Sequence, residues 1–401
     1  MRTIAAVTTS RADYGIYSPV LRMIQSTSAL RGRLIVSGSH LSPEFGLTVR
    51  AIEDDGFEIA ERIDIDLASD TPAAAIRSMA LALNGFGETF ARWRPDILLV
   101  LGDRFEMHAA ALAALPFRIP VAHIHGGEIT LGAFDDALRH SITKLSHVHF
   151  VSTDEHARRV IQMGEEPWRV MVSGAPSLDN LRTVTLQSRE EIERQHDLCL
   201  GEAFLLVTFH PATLDSGDPA DQARAVLDAI EDTGLPAVIT MPNADPGGRA
   251  IRTIIRERAA RNRLLHAVES VGTVSYFSLM ALAAAMVGNS SSGMIESASF
   301  RLPVVNVGSR QQGRVRGRNV IDVEATADAI RAGIEEALDA PFRAGLTGLK
   351  NPYGDGGAAE RIVGRLHEIE LGPSLILKRF ADAMPSAAVR PSELERARGL
   401  V

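Results

Sequence analysis

The sequence predicts an α/β fold with two Rossmann-like domains, each a parallel sheet flanked by helices, that face each other across a cleft. Short apolar segments alternate with amphipathic segments along almost the whole chain, which is typical of parallel sheets covered by helices. The alternation pauses at a charged, helix-forming connector between Leu181 and Gly201 and then starts again. A chain of 401 residues is also long for a single domain, so two units are expected.

The order of the elements divides the chain into an N-terminal domain over 1–182, a second domain over 183–371 and a C-terminal tail over 372–401. The tail is broken by prolines and is expected either to pack back on the first domain or to be partly loose. In the first domain we expect strands at Ile4–Thr8, Leu34–Val36, Ile63–Ile65, Asp96–Leu101, Pro120–His125, His149–Ser152 and Val170–Ser173. In the second we expect them at Ala203–Phe209, Ala237–Met241, Leu264–Ala267, Ala285–Val287 and Val304–Val307.

Composition limits the class of protein. Apolar residues make up 45% of the chain, which predicts a packed core. The formal net charge of −8 argues against a general nucleic-acid or membrane-surface binder, although it leaves room for a local basic pocket. Cys199 is the single cysteine, so no internal disulfide framework is possible, and no apolar run reaches transmembrane length. We expect a soluble, cytoplasmic protein with neither nucleic-acid nor membrane partners.

A serine-rich turn follows one of the apolar strands. The run Ala285–Gly288 leads into Asn289, three consecutive serines (Ser290, Ser291 and Ser292) and Gly293. This order predicts a strand, a tight turn and a helix N-terminus, whose free N–H groups and partial positive charge attract phosphate. An ordinary N-cap needs only one serine, so three in succession favour an anion site.

Acidic and histidine side chains follow two other apolar strands. Asp103 and Arg104 come directly after the strand that ends at Leu101, where a carboxylate is held rigidly enough for acid–base chemistry and an arginine can meet a phosphate. Asp103 as a simple helix cap is an equally supported interpretation. His123 and His125 share one strand face, as a metal site would require, but local spacing implies no third ligand. His123 is expected to be a satisfied core histidine, and His125 is the better functional candidate.

Two further groups have both a structural and a functional interpretation. Asp135 lies four residues before Arg139 on a predicted helix, and sequence alone favours an ordinary intrahelical ion pair there. His210 follows a buried strand, Arg310 begins the densest basic run, and Arg11 lies in the turn after the first strand. These positions suit contacts with a phosphorylated ligand. The glycine fingerprint of dinucleotide-binding proteins and the Walker P-loop are both absent from the sequence, so neither NAD nor ATP chemistry is indicated.

Six motifs occur along the chain in a fixed order: Ser10–Gly15, Gly102–Arg104, His123–Glu128, Ile142–Lys144, Gly288–Gly293 and Arg310–Gly317. Together they resemble the hydrolysing UDP-N-acetylglucosamine 2-epimerases, the bacterial enzymes that open sialic-acid-type synthesis. The similarity runs from the first strand to about Arg365. The resemblance implies a glycosyltransferase-B-like fold with the nucleotide in the cleft, a UDP-sugar as the small-molecule partner, no metal or redox cofactor, and a homodimer or homotetramer.

The resemblance also implies a mechanism and assigns residues to it. The C2 proton of UDP-N-acetylglucosamine is removed, UDP leaves anti to give a 2-acetamidoglucal, and water then adds to give N-acetylmannosamine. Asp103 and Asp135 match the acid–base positions, and either His125 or Glu128 completes the set. Contacts with UDP are implied for Arg11, His210, Asn243, Ser290, Ser291, Glu296 and Arg310, with Glu296 on the ribose.

The sugar itself stays open at the level of sequence. UDP-N-acetylglucosamine is the first expectation. The alternative is the same reaction on UDP-N,N'-diacetylbacillosamine for legionaminic acid synthesis. A glycosyltransferase of the same fold, which would not need two carboxylates as proton handlers, and a nucleotide-sugar-binding regulatory protein are weaker alternatives.

Overall fold

The computed structural model describes residues 1–69, 71–215, 217–242, 245 and 247–382, and two sheets lie within these ranges. The first contains β1 Arg2–Thr8, β2 Leu30–Ser37, β3 Ile59–Ile63, β4 Ile97–Leu101, β5 Val121–Ile124, β6 Val148–Val151 and β7 Val170–Val172. The second contains β8 Leu205–Thr208, β9 Ala237–Thr240, β10 Leu265–Val268, β11 Ala285–Gly288, β12 Val304–Val307 and β13 Val320–Val323. Every strand pair is parallel, which confirms the predicted α/β fold.

Helices connect the strands and cover the sheets. Those of the first half of the chain are α1 Arg11–Ser26, α2 Val49–Asp54, α3 Pro72–Arg92, α4 Phe105–Ala114, α5 Asp135–Leu145, α6 Asp154–Gln162, α7 Asn180–Thr183 and α8 Arg189–His196. Those of the second half are α9 Pro219–Asp232, α10 Gly248–Ala259, α11 Gly272–Leu282, α12 Ser292–Ile295, α13 Ala327–Leu338, α14 Ala340–Gly345, α15 Ala358–Glu368 and α16 Pro373–Ile376. In the part of the chain that the structure describes, none of them is long and apolar enough to cross a bilayer.

The strand order brings the predicted motifs to the carboxyl edges of the sheets. The first sheet runs β3-β2-β1-β4-β5-β6-β7 and the second β10-β9-β8-β11-β12-β13. The strand order therefore reverses between β1 and β4 in the first sheet and between β8 and β11 in the second. Ligands of such folds bind outside the carboxyl ends of the strands near that reversal. Asp103 follows β4 and His125 follows the neighbouring β5, while His210 follows β8 and Asn289 follows the neighbouring β11.

The central strands form because their side chains are apolar on both faces. Every residue of β4 and β8 is buried, as parallel strands covered by helices on both sides require. Strand β13 was not predicted, because it is an edge strand with only partly buried side chains and a weak apolar pattern. Between β2 and β3 the chain forms a 3-10 turn, Pro43–Phe45, followed by α2, and Gly46 adopts a left-handed conformation between them.

The chain returns to the first domain near its end. Helix α15 was placed in the second domain by the sequence, but Ala358, Ile362 and Leu366 belong to the apolar core around the first sheet. An amphipathic helix has no local signal for which sheet covers it, and α15 packs on α1. We therefore propose that the second domain ends before Ala358 and that 358–371 belong to the first.

Residues 372–382 contact the first domain. Arg169, which is 1% exposed, donates hydrogen bonds to the carbonyl oxygens of Ser374 (2.9 Å) and Leu375 (2.8 Å). Lys378 Nζ lies 2.8 Å from a carboxylate oxygen of the buried Glu165. The predicted tail over 383–401 lies outside the described residues.

Direct contacts join the two domains beside the cleft. Arg314 of the second domain donates to the carbonyl oxygen of Ile129 at 3.1 Å and to the hydroxyl of Thr130 at 3.1 Å. Arg249 pairs with Glu44 at 2.8 Å. The carboxyl edges of the two sheets therefore meet, and the residues at those edges can act on one ligand.

Candidate active site

Asp103 forms an ion pair with a helix of the same domain. Gly102, with φ of +74°, turns the chain sharply at the end of β4, and Asp103 then pairs with Arg139 of α5. Arg139 is 3% exposed, whereas the Asp103 side chain is 22% exposed, so the carboxylate keeps a solvent-accessible surface. The residue at the N-cap of α4 is Arg104, which makes no side-chain capping bond, so Asp103 is not the helix cap.

His125 and Glu128 form a buried pair beside Asp103. His125 Nδ1 lies 2.5 Å from Glu128 Oε1 and 2.8 Å from the hydroxyl of Ser152, which donates to the same carboxylate oxygen at 2.9 Å. The other oxygen of Glu128 lies 3.3 Å from Arg314. Burial would raise the pKa of Glu128, but the neighbouring His125 and Arg314 outweigh it and hold this pKa well below its usual range. Glu128 is therefore a carboxylate at every physiological pH.

His123 lies in the core, as the sequence predicts. Its Nε2 lies 2.8 Å from the carbonyl oxygen of Gly102, its Nδ1 contacts the hydroxyl of Thr143 at 3.3 Å, and the residue is fully buried. Burial lowers the pKa of His123 to about 3, so its imidazole is neutral. The structure contains no group of three or more His, Cys, Asp or Glu side chains suited to a metal ion within the described ranges.

Asp135 lies at the start of α5, close enough to Asp103 for their charges to interact. Burial and the negative charges of Asp103 and Asp245 raise the pKa of Asp135 to about 7. The intrahelical ion pair that the sequence favoured for Asp135 is wrong, because Arg139 pairs with Asp103 instead. On the same helix, Asp136 lies 3.5 Å from His140, four residues further on.

The serine-rich turn joins two strand ends of the second domain. Asn289 accepts a hydrogen bond from the backbone N–H of His210 at 2.7 Å and donates to its carbonyl oxygen at 2.8 Å. Ser291 occupies the N-cap of α12 without a side-chain capping bond, and Ser290 accepts from the backbone N–H of Ser292 at 3.3 Å. The predicted strand, turn and helix are present. However, α12 has only four residues, so its dipole is a weaker attraction for phosphate than the sequence suggested.

Arginines surround His210. Burial, Arg310 and more weakly Arg11 and Arg104 lower the pKa of His210 to about 3, so a neutral imidazole lies among cationic side chains. Arg11 and Arg104 also line one cavity at the domain boundary. A neutral histidine with arginines on several sides is suited to a strongly anionic group such as a diphosphate.

Asp245 occupies the middle of this cationic group. It lies 3.3 Å from Arg104 and 3.9 Å from Arg310, so it connects arginines of the two domains. The sequence interpretation did not select Asp245, although its position after β9, beside Asn243, was a usable signal. Asn243 itself lies outside the described residues, so its predicted UDP contact stays a prediction.

Glu296 lies deep in the second domain. Its carboxyl accepts a hydrogen bond from Ser177, a residue of the connection between the domains, and it is 5% exposed. Burial raises the pKa of Glu296, with Ser177, Ser292 and His125 acting in the opposite direction. Its predicted contact with a ribose stays a prediction.

Three polar residues of the site were not identified from local spacing. Arg139 was interpreted only as an intrahelical partner, Arg314 only as part of a basic run, and Ser152 only as the end of a strand. Each acts on a residue far away in the sequence, as the separation of 36 positions between Arg139 and Asp103 illustrates. Nothing in the local pattern predicts such pairs.

The two facing parallel-sheet domains, with a group of arginines around His210 and the ionisable groups Asp103 and Asp135 near their facing edges, define a glycosyltransferase-B-type protein. The solved structure of UDP-GlcNAc 2-epimerase from Neisseria meningitidis bound to UDP-GlcNAc has the same fold, with a TM-score of 0.77 at 19% identity over 91% of this chain and 99% of that one. The S. aureus MnaA-UDP co-structure gives a TM-score of 0.76 at 18% identity, covering 91% of this chain and 96% of that one.

Sequence comparison identifies the family. The family model for UDP-N-acetylglucosamine 2-epimerase matches residues 22–367. A UDP-N,N'-diacetylbacillosamine 2-epimerase (hydrolyzing) from Legionella pneumophila is 38% identical over 94% of this chain and 99% of its own length. A GDP/UDP-N,N'-diacetylbacillosamine 2-epimerase (hydrolyzing) from Campylobacter jejuni is 38% identical over 80% of this chain and 84% of its own. The chain belongs to the UDP-N-acetylglucosamine 2-epimerase family and is a UDP-sugar 2-epimerase.

Proposed function

We propose that the chain catalyses the hydrolysing 2-epimerisation of UDP-N,N'-diacetylbacillosamine, which yields UDP and the free sugar inverted at C2. The two relatives named as N,N'-diacetylbacillosamine 2-epimerases are each 38% identical to the chain. A UDP-N-acetylglucosamine 2-epimerase from Neisseria meningitidis is 30% identical over 84% of the chain. This difference favours the diacetylated sugar over UDP-N-acetylglucosamine, which the sequence analysis took first.

One observation supports the reaction type above all others: two carboxyl groups with different surroundings, Asp103 and Asp135, lie close enough for their charges to interact, near a group of arginines. Asp103 is paired with Arg139, while the pKa of Asp135 is raised to about 7. Inversion at C2 needs a proton removed from one face of the sugar and a proton delivered to the other. Groups whose environments differ in this way can divide the two tasks.

The bonds change in two steps. A base takes the C2 proton, the C2–H electron pair forms the C1–C2 double bond, and the C1–O bond breaks with its electrons passing to UDP. Water then adds across the double bond: its oxygen bonds to C1 while one of its protons passes to a base, and an acid delivers a proton to the opposite face of C2. The arginines near His210 stabilise the negative charge that develops on the departing diphosphate.

The test is incubation with each of the two UDP-sugars in deuterated water, followed by proton NMR and by measurement of released UDP. We expect stoichiometric UDP release and a free sugar with deuterium at C2 and the mannose configuration, with a higher kcat/KM for the diacetylated substrate. Retention of the C2 hydrogen would contradict the elimination. Release that depends on an added acceptor would instead indicate a glycosyltransferase.

A further inference from the structure

His125 is held in an unusual backbone conformation with one ring nitrogen unused. Its φ of +64° is rare for a residue with a side chain, and such strain is concentrated at functional sites. Its backbone is fixed by a bond from its N–H to the carbonyl oxygen of Phe150 at 3.0 Å and by Arg139, which donates to the His125 carbonyl at 2.8 Å. The buried Nε2 has no hydrogen-bond partner among the described residues.

Glu128, by contrast, has both carboxylate oxygens engaged. Oε1 meets His125 at 2.5 Å and the hydroxyl of Ser152 at 2.9 Å, while Oε2 lies 3.3 Å from Arg314 and 3.9 Å from Arg139. The residue is 1% exposed. A carboxylate surrounded in this way has no accessible lone pair to offer to a sugar proton.

The contact with Glu128 determines which nitrogen of His125 is free. An anionic carboxylate can only accept, so Nδ1 carries the hydrogen, and the lone pair of the ring is the one on Nε2 whenever the imidazole gives up its second proton. The hydroxyl of Ser152 donates to the same carboxylate oxygen and completes the arrangement. A carboxylate, an oriented imidazole and an Nε2 without a hydrogen-bond partner in the described part of the chain form the pattern by which proteins prepare a histidine to take and return a proton.

Resting on the proposed function, we propose that Glu128 is a positioning residue and that His125 is the third proton-transfer group of the site. Glu128 binds Nδ1 so that Nε2 is left to exchange a proton with the sugar. Arg314, which comes from the second domain, is the counter-ion that secures Glu128. The complete arrangement therefore needs both domains. In this proposal His125, and not Glu128, meets the substrate.

Substitution Glu128→Gln tests this role. We expect kcat to fall about 10- to 100-fold, with KM and the Kd for UDP within about twofold of the unchanged protein. The acidic limb of the kcat profile moves to lower pH, because the imidazolium loses its carboxylate partner. Glu128→Asp keeps the charge, so it restores the wild-type position of the limb and part of kcat. Glu155→Gln, on the exposed side of the same domain, is the matched control and leaves kcat and the position of the acidic limb unchanged.

The pH profile must be interpreted against every ionisable group around His125. These groups are Glu128, His123, His156, Arg139, Arg314 and, across the cleft, Glu296. A purely structural role for Glu128 would lower the amount of folded protein and raise the Kd for UDP without moving the limb. An unchanged kcat and an unmoved limb in Glu128→Gln would overturn the proposal.

A second measurement needs neither substrate nor a folded variant. Nitrogen NMR of the histidine-labelled wild-type protein at pH 7.5 reports the tautomer of His125, and we expect hydrogen on Nδ1 and none on Nε2. The opposite tautomer would overturn the inference. If no UDP-sugar is turned over but this tautomer is found, the proposed function fails while the geometry of the pair stands. If the UDP-sugar is turned over but His125 has the opposite tautomer, the proposed function stands and the role inferred for Glu128 fails.

Discussion

At the scale of single residues, two carboxyl groups of the site differ in the charge of the side chains around them. Asp103 has a buried arginine, Arg139, as its direct partner. Asp135 has negative neighbours and a pKa of about 7, so both of its protonation states are populated near neutral pH. The negative charge of Asp103 is one of the causes that raise the pKa of Asp135, so the two groups are linked electrostatically. The first two predictions alter one member or one neighbour of this pair.

Asp103→Asn removes the carboxylate while keeping the shape of the side chain. We expect turnover to fall at least about 100-fold, because acid–base groups contribute on this scale. The Kd for UDP should stay within about twofold, since the arginines around His210 remain. Kinetics and calorimetry on the same preparation measure both quantities. Asp154→Asn, an exposed first-turn aspartate of α6, is the matched control. Undiminished turnover in Asp103→Asn would remove Asp103 from the mechanism.

Asp245→Asn removes a negative neighbour of Asp135. The pKa of Asp135 should then fall below about 7. If protonated Asp135 delivers the second proton, the alkaline limb of the kcat profile moves to lower pH, by on the order of half a unit. The profile is recorded at saturating substrate so that changes in binding do not contribute. Asp228→Asn, whose partner is the surface residue Arg258, is the control. A limb that stays in place or moves to higher pH contradicts this role of Asp135.

At the scale of elements, the turn after β11 depends on close backbone contact. Gly288 has φ of +133°, and a Cβ added there would lie 2.0 Å from the carbonyl oxygen of Thr208 on β8. This approach allows Asn289 to bridge to His210 and so joins the two strand ends that form the anion pocket. No residue with a side chain fits without moving β8.

Gly288→Ala should therefore lower the free energy of unfolding by about 3 kcal/mol or more, from backbone strain and steric overlap together. Gly87→Ala is the matched control. Gly87 lies within α3 with open space around its Cα, so alanine there should raise the free energy of unfolding by about 0.5–1 kcal/mol. Urea denaturation measures both variants. Equal stabilities would mean that the strand end adapts at little cost.

The elements differ in how well the sequence predicted them. Strand β4 was predictable because five consecutive apolar residues are buried on both faces. Strand β13 was not, because an edge strand carries only part of that pattern. The serine-rich turn was predictable from its small residues. The partners of Asp103 and Glu128 were not, since Arg139 and Arg314 reach them only through the tertiary fold, and local spacing indicated a different pair for Arg139.

At the scale of the whole molecule, the chain joins its two domains more than once. It leaves the first domain before α8, builds the second sheet, and returns with α15 to the first core. Arg314 meanwhile binds Glu128, Ile129 and Thr130 from the opposite side of the cleft. The residues that we propose for proton transfer and for anion binding are therefore held by one continuous set of contacts, and the stability of the fold and the integrity of the site should respond together to pH.

Buried histidines give the whole molecule a predictable acid sensitivity. Burial lowers the pKa of nine histidines, to about 3 for His123 and His210 and to about 4 for His147 and His156; the others are His40, His108, His140, His149 and His196. As pH falls below about 6.5, the unfolded chain binds protons at these sites that the folded chain does not. Each of the four histidines whose pKa is lowered to about 3 or 4 then costs up to about 1.4 kcal/mol of stability per pH unit, and the other five add smaller contributions in the same direction.

Three carboxyls act in the opposite direction. Burial raises the pKa of Glu106, Asp135 and Glu296, so these groups favour the folded state as pH falls toward their unfolded values. Nine histidines outweigh three carboxyls, and we expect the free energy of unfolding to be at least about 2 kcal/mol lower at pH 5 than at pH 7. Urea denaturation at constant ionic strength between these values measures the slope. His156→Asn should reduce the slope of the free energy of unfolding against pH by up to about 1.4 kcal/mol per pH unit, which is the contribution of one proton. A free energy of unfolding that is flat or rises toward pH 5 would show that the histidines are protonated within the fold.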